Sequence, residues 1–224
     1  MSARIRIVDD HELLAFSLAC ALQAEGFDAA ALQPSTLEEV LDAVLADSPD
    51  LVLLDLQLGG SIGSGLSLVR PLTEAGVSVL TVSGVTDRVT IAETVELGAV
   101  GYVGKGEPFE VLLETAARAA AGESVMSATE RTELLAELRR HRAQQRAAQA
   151  PFEQLTTKER HVLGALCAGG SVTSVAKESY VSVPTVRTQV RAILLKLQVG
   201  SQREAVALAL RCGWYADRLA ARPA

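Results

Sequence analysis

Four short apolar runs, each ending on a chemically active residue, constrain this chain more than any other feature. Arg4-Ile5-Arg6-Ile7-Val8 leads into Asp9 and Asp10, Leu51-Val52-Leu53-Leu54 into Asp55, the run 77–82 into Ser83, and Gly101-Tyr102-Val103-Gly104 into Lys105. Runs of this length, rich in Val, Ile and Leu, read as strands buried on both faces. Between them, and around a further short strand at 27–31, lie amphipathic stretches at 11–25, 37–46, 66–74, 87–97 and 109–121. Strands alternating with helices imply a doubly wound α/β fold with a five-stranded parallel sheet. The carboxyl ends of neighbouring strands in such a sheet converge on one edge, where ligands bind. Asp9, Asp10, Asp55, Ser83 and Lys105 are therefore expected to share one site.

The chemistry of that set is narrow. Three carboxylates in one place repel one another unless a cation joins them, and hard oxygen donors suit Mg2+. A lysine beside them is a natural partner for a phosphoryl oxygen. The combination points to a carboxylate that accepts a phosphoryl group, a metal that screens the charge, and a hydroxyl and an ammonium that hold the product.

The order of these features (an acidic pair, then Pro49-Asp50-Leu51-Val52-Leu53-Leu54-Asp55, then Ser83-Gly84, then Gly101-Tyr102-Val103-Gly104-Lys105) makes residues 1–122 resemble the receiver domain of a two-component response regulator, with its flavodoxin-like sheet. The resemblance implies that Asp55 is the phosphoacceptor and that Asp9, Asp10, Asp55 and the backbone carbonyl of Gln57 bind Mg2+. It implies that Ser83 and Lys105 contact the phosphoryl oxygens, and that Tyr102 is a switch aromatic that turns inward when Ser83 is recruited. The donor it implies is a phosphohistidine on a sensor histidine kinase. After the acceptor the chain reads Leu56-Gln57-Leu58-Gly59-Gly60-Ser61-Ile62-Gly63-Ser64-Gly65, with glycine where the family has proline, so a loosened backbone is expected there.

The charge of the chain is divided. Up to Gly122 there are 18 acidic and 6 basic residues and beyond it 9 and 15, balances of −12 and +6 within the overall −6. A basic second half beside an acidic first half hints at nucleic-acid binding in the second. No apolar run is long enough to span a bilayer, and the opening Met1-Ser2-Ala3-Arg4 enters a strand at once, so no membrane association and a cytoplasmic location are expected. Cys20, Cys167 and Cys212 lie in apolar helical patterns without ligand spacing, and are expected to be buried thiols.

Ser127-Ala128-Thr129-Glu130 reads as a capping box opening a helix that ends before Pro151. Its first half carries Leu134, Leu135 and Leu138, and its second half, Arg139-Arg140-His141-Arg142-Ala143-Gln144-Gln145-Arg146, is polar. Residues 123–151 are read as a helical linker, with a short coiled-coil seam as the alternative.

From Phe152 the helices shorten to 157–168, 172–179, 183–198 and 202–212, a four-helix all-α domain over 152–216. In the third, Val186, Val190, Ile193, Leu194 and Leu197 form an inward stripe, while Arg187, Thr188 and Arg191 share the outer face near the helix start. An outward helix with early arginines suits the DNA major groove. The segment resembles the C-terminal helix-turn-helix domain of the NarL/LuxR-type transcription factors, from Leu155-Thr156-Thr157-Lys158-Glu159 through Thr185-Val186-Arg187-Thr188-Gln189 to Ile193-Leu194-Leu195-Lys196-Leu197. That resemblance implies that Arg187, Thr188 and Arg191 reach bases of double-stranded DNA and that Ser182, Thr185, Gln189 and Lys196 contact phosphates. A homodimer is expected when the protein is phosphorylated or on DNA, with Ala205, Leu208 and Ala209 of the last helix as a contact.

Together the two motif sets lead to the expectation of a phosphorylation-regulated transcription factor rather than an enzyme, its catalysis confined to phosphoryl uptake and slow self-hydrolysis. Two other classes are open at this point: a DNA-binding regulator independent of phosphorylation, and a Mg2+-dependent aspartyl-phosphate hydrolase. The second needs a general acid beside its nucleophile, and Gln57 offers none.

Overall fold

The computed structural model describes residues 2–33, 36–59, 63–84 and 87–215. Its contacts divide the chain into two units, the first ending at Arg139 and the second beginning at Arg140. In the first unit the apolar runs form strands β1 (Arg4–Val8), β2 (Asp28–Leu32), β3 (Leu51–Leu54), β4 (Ser78–Ser83) and β5 (Gly101–Gly104), all parallel, in the order β2-β1-β3-β4-β5. The helices α1 (Glu12–Ala24), α2 (Leu37–Asp47), α3 (Leu66–Glu74), α4 (Arg88–Glu96) and α5 (Phe109–Ala120) connect them.

Alternation along each strand divides the core. Ile5, Ile7, Leu51 and Leu53 pack with Ala15, Leu18 and Leu22 of α1 and Leu112 and Ala116 of α5. Their neighbours Val8, Val52 and Leu54 point the other way, onto Val40 and Val44 of α2 and Leu68 and Leu72 of α3. A sheet covered on both faces leaves only its strand ends for chemistry.

Pro71 stands inside α3, which runs on to Glu74 with Leu68, Val69 and Leu72 anchored in the core. Helix α4 is capped by Asp87, whose carboxylate accepts from the N–H groups of Val89 and Thr90. Cys20 is exposed, since it shares the outer stripe of α1 with Leu13 and Phe16 while Ala15, Leu18, Ala19 and Leu22 face inward. Cys167 and Cys212 are half-buried.

Helix α6 (Ala128–Glu153) runs through Pro151 instead of ending before it. The continuation brings Phe152 into the second core, where its ring stacks on Trp214 with centroids 5.2 Å apart. That burial offsets the hydrogen bond the proline forgoes. In the second unit α7 (Thr157–Cys167), α8 (Val172–Glu178), α9 (Val183–Leu197) and α10 (Gln202–Arg211) enclose Leu163, Val175, Val186 and Ile193. Thr156 and Glu159 form a reciprocal capping box on α7, Ser171 and Ser174 one on α8, and Ser182 accepts from the Thr185 N–H at the start of α9.

Candidate functional site

The strand ends of the first unit bring the expected residues together. β1 and β3 are neighbours, and the Asp55 N–H donates to the Val8 carbonyl over 2.8 Å, so Asp9 and Asp55 emerge side by side. β4 and β5 pair Ser83 with Gly104, and the Lys105 N–H donates to the Ser83 carbonyl over 2.9 Å. Asp9, Asp55 and Ser83 are buried, whereas Asp10 is exposed. Lys105 reaches across the edge: its Nζ lies 2.7 Å from Asp9 Oδ1 and 2.7 Å from Asp55 Oδ2. The remaining Asp55 oxygen, Oδ1, accepts from the Gln57 N–H over 3.0 Å, which ties the acceptor to the loop that follows it.

Glycine permits this loop to close in. A Cβ on Gly65 would stand 2.0 Å from the Asp55 carbonyl oxygen, and one on Gly59, whose φ is +55°, would stand 2.5 Å from Asp10 Oδ2. The glycine-rich stretch thus packs directly against Asp10 at Gly59. Gly60, Ser61 and Ile62 lie outside the described residues.

His11 was not among the expected site residues. Its Nδ1 lies 2.9 Å from Asp10 Oδ1, 3.3 Å from Asp9 Oδ1 and 3.2 Å from Lys105 Nζ. Donor atoms from Asp9, Asp10, His11 and Asp55 all fall within 4.8 Å of one another. The only sequence signal was its position directly after the acidic pair. Three carboxylates against one ammonium leave about two negative charges uncompensated, which is the demand a divalent cation meets. Their oxygens are the hard donors that Mg2+ takes. Tyr102, opposite Thr81 in the β4–β5 pair, is half-buried, and its hydroxyl lies over Gly104, 3.1 Å from where a Cβ would stand.

In the second unit the outer face of α9 carries Arg187, Thr188 and Arg191, all exposed, and Ser182 and Thr185 are exposed at its start. Gln189 is half-buried. Lys196 is differently placed: its Nζ lies 2.6 Å from Oε2 of the buried Glu159. Burial alone would raise the Glu159 carboxyl, but hydrogen bonds from Lys196 and from the Thr156 backbone and hydroxyl outweigh it and hold the group below its ordinary value. In α10, Ala205 and Ala209 are fully buried in the domain's own core, so those two are not available for the contact between copies expected from the sequence, while Leu208 is half-buried against the same core. A four-helix domain this small needs that face for itself.

Comparison with known proteins agrees with this geometry. The model of the response regulator receiver domain matches residues 5–117. The chain is a response regulator. The family of bacterial regulatory proteins of luxR type matches residues 153–209. Among similar sequences are the nitrate/nitrite response regulator protein homolog of Haemophilus influenzae, 30% identical over 92% of this chain and 95% of that protein. Another is the nitrate/nitrite response regulator protein NarP of Escherichia coli, 31% identical over 93% of this chain and 94% of that one. A solved two-component response regulator of the LuxR family from Aurantimonas is 25% identical, with a TM-score of 0.51, over 62% of this chain and 99% of that chain. With a receiver domain followed by a LuxR-type domain, this response regulator is a phosphorylation-regulated transcription factor. Among the described residues no helix is long and apolar enough to cross a membrane.

Proposed function

We propose that Asp55 takes a phosphoryl group from a phosphohistidine of a sensor histidine kinase, and that this event governs how the second domain engages double-stranded DNA. The observation that carries the reading is the charge imbalance at the strand ends, where buried Asp55 and Asp9 share one ammonium with Asp10 beside them. An oxygen of Asp55 attacks phosphorus, the P–N bond of the donor breaks, and its electron pair returns to the imidazole nitrogen, which takes up a proton. Asp9, Asp10, Asp55 and the backbone carbonyl of Gln57 are the groups to hold Mg2+. When bound, the metal supplies positive charge against the phosphoryl oxygens. Ser83 donates its hydroxyl to a phosphoryl oxygen and Lys105 its ammonium. Tyr102 moves into the space that Ser83 leaves. Loss of the phosphoryl group is slow attack by water on the acyl phosphate, since no acid stands at position 57 to speed it.

On DNA, Arg187, Thr188 and Arg191 read base edges, the arginine forks matching guanine O6 and N7, while Ser182, Thr185 and Gln189 contact phosphates. Lys196 adds to the phosphate contacts only with the part of its ammonium that Glu159 leaves free. A homodimer matches paired half-sites one helical turn apart, and the α10 face open to a second copy carries Arg203, Ala207 and Leu210, all exposed. Residues 1–122 are the phosphoacceptor part, 152–216 the DNA-binding part, and 123–151 the segment between them. The protein works in the cytoplasm.

The test is Asp55→Asn. With a small phosphodonor and Mg2+, the intact mass of the wild-type protein should rise by one phosphoryl group, and that of the variant should not. Uptake by Asp55→Asn at the wild-type rate would put the acceptor elsewhere.

A further inference from the structure

The face of the first unit formed by α4 and β5 is already covered, by a helix of the same chain. The first half of α6 lays Leu134 and Leu138, 2% and 0% exposed, against Ile91, Ala92 and Val95 of α4, with Met126 closing one end. Val89, Leu135 and Tyr102 pack on the same seam. Polar contacts fix the register. Arg88 Nε on α4 lies 2.9 Å from Glu137 Oε2 on α6, and Arg131 Nη2 donates to the Ala99 carbonyl over 2.7 Å. The hydrogen bond and charge of Glu137, with Glu133 and Glu130 on the same helix, raise the Arg88 guanidinium above its ordinary value. The stripe that reads in sequence as part of a spacer is therefore a packed seam, and the residue expected to switch is one of its walls.

We propose that the first half of α6 is the element that reads the phosphorylation state: a clasp held on α4 and β5 by a seam that includes Tyr102 and is weakened when Tyr102 turns inward. Ser83 and Tyr102 lie on adjacent paired strands, two residues of register apart. Movement of Ser83 toward a phosphoryl group on Asp55 draws the ring out of the seam and removes one apolar wall from α6. A packed seam of this kind has two arrangements rather than a continuum, which makes it a switch element. Because α6 continues to Glu153, the change reaches the chain that enters the second unit. Coupling of this kind is reciprocal: whatever loosens α6 must favour the inward Tyr102 and tighten binding of the phosphoryl group or its mimic by the same factor.

The inference rests on Asp55 as acceptor, and the experiment separates the two. Beryllofluoride with Mg2+ serves as the phosphoryl mimic on the full chain, its binding followed by fluorine NMR and the amides of α6 by hydrogen exchange. With the mimic bound, exchange at 130–138 should quicken on the order of tenfold while the sheet strands stay protected. Arg88→Glu, a surface change that sets a glutamate against Glu130, Glu133 and Glu137, should quicken the same amides without mimic and tighten mimic binding by a matching factor. Leu138→Ala should act in the same direction. Bound mimic with α6 exchange unchanged would overturn the clasp and leave Asp55 in place. Absence of a bound fluorine signal would overturn both. Loosening by Arg88→Glu and Leu138→Ala with no gain in mimic affinity would remove the coupling, and with it the proposal.

Discussion

Lys105 and Lys196 are each held against buried carboxylates, at 2.7 and 2.6 Å, but the charge around them differs. Lys105 faces two buried carboxylates with Asp10 and the His11 ring beside them, so the group carries more negative charge than one ammonium can cancel. Lys196 faces one carboxylate, Glu159, whose other partners are the backbone and hydroxyl of its own capping box. One cluster is left with negative charge uncancelled; the other is closed. A buried lysine–carboxylate contact thus marks a ligand site only where its charges fail to cancel, and otherwise ties two helices together, here α7 to α9.

The largest effect that tests this contrast is loss of either ammonium. Lys105→Ala leaves Asp9 and Asp55 buried without a cation, and should lower the stability of the first unit by about 3–5 kcal/mol in the absence of divalent metal. Saturating Mg2+ should return most of that, because an ion that binds only the folded site stabilises it. Lys196→Ala should cost the second unit less, since Lys196 keeps access to water and Glu159 retains its bond from the Thr156 N–H, with no recovery in Mg2+. Trp214, the one tryptophan of the chain, stacks in the second core and reports that unit by fluorescence, while hydrogen exchange in β1 and β3 reports the first. Equal rescue of both variants by Mg2+, or of neither, would dissolve the distinction.

A smaller effect concerns the exposed cations of α9, which lie outside both clusters. Arg187→Ala should weaken specific DNA binding by about 1–3 kcal/mol at fixed salt and relax base preference at one position. Lys196→Ala, compared under conditions where it is folded, should change the salt slope by less than the ~1 unit expected of a lysine free to neutralise a phosphate. The opposite ranking would mean that Lys196 leaves Glu159 to bind DNA and that Arg187 does not enter the groove.

These contrasts also show what could be read before the fold was known. The pocket was legible because parallel strands bring their carboxyl ends to one edge whatever the helices do, so spacing along the chain was enough to assemble Asp9, Asp55, Ser83 and Lys105. The outer face of α9 was legible because Val186, Ile193 and Leu197 fix its rotation. Pairings between helices distant in sequence were not. The stripe of Leu134 and Leu138 has too few apolar residues to announce a partner, and α4, which receives it, looks ordinary in sequence. The inward turn of Ala205 and Ala209, and the Glu159–Lys196 pair, depend on how four short helices cross. His11 stood beside the acidic pair, but adjacency to Asp10 does not reveal that its ring turns toward Lys105.

The smallest effect separates the closed pair from the open one by pH. Glu159 is held below its ordinary value near 4.5 in the folded protein. A carboxyl depressed in this way contributes stability that is complete above the unfolded value and is lost as pH falls through the folded one. From neutral pH down to about 4.5 this group should therefore leave the stability of the second unit flat, and below that it should steepen the loss. Glu159→Gln isolates the charge, because a glutamine at this third helical position can still accept through its amide oxygen from the N–H of the capping Thr156. The variant should be less stable at neutral pH, and its acid limb should be shallower below 4.5, with the two curves converging as Glu159 in the wild type protonates. The difference should be modest, since Lys196 retains access to water that screens the pair. Denaturant midpoints followed by Trp214 fluorescence at stepped pH supply the measurement. Curves that stay parallel through that range would mean that the carboxylate charge of Glu159 adds nothing that its hydrogen bonds do not.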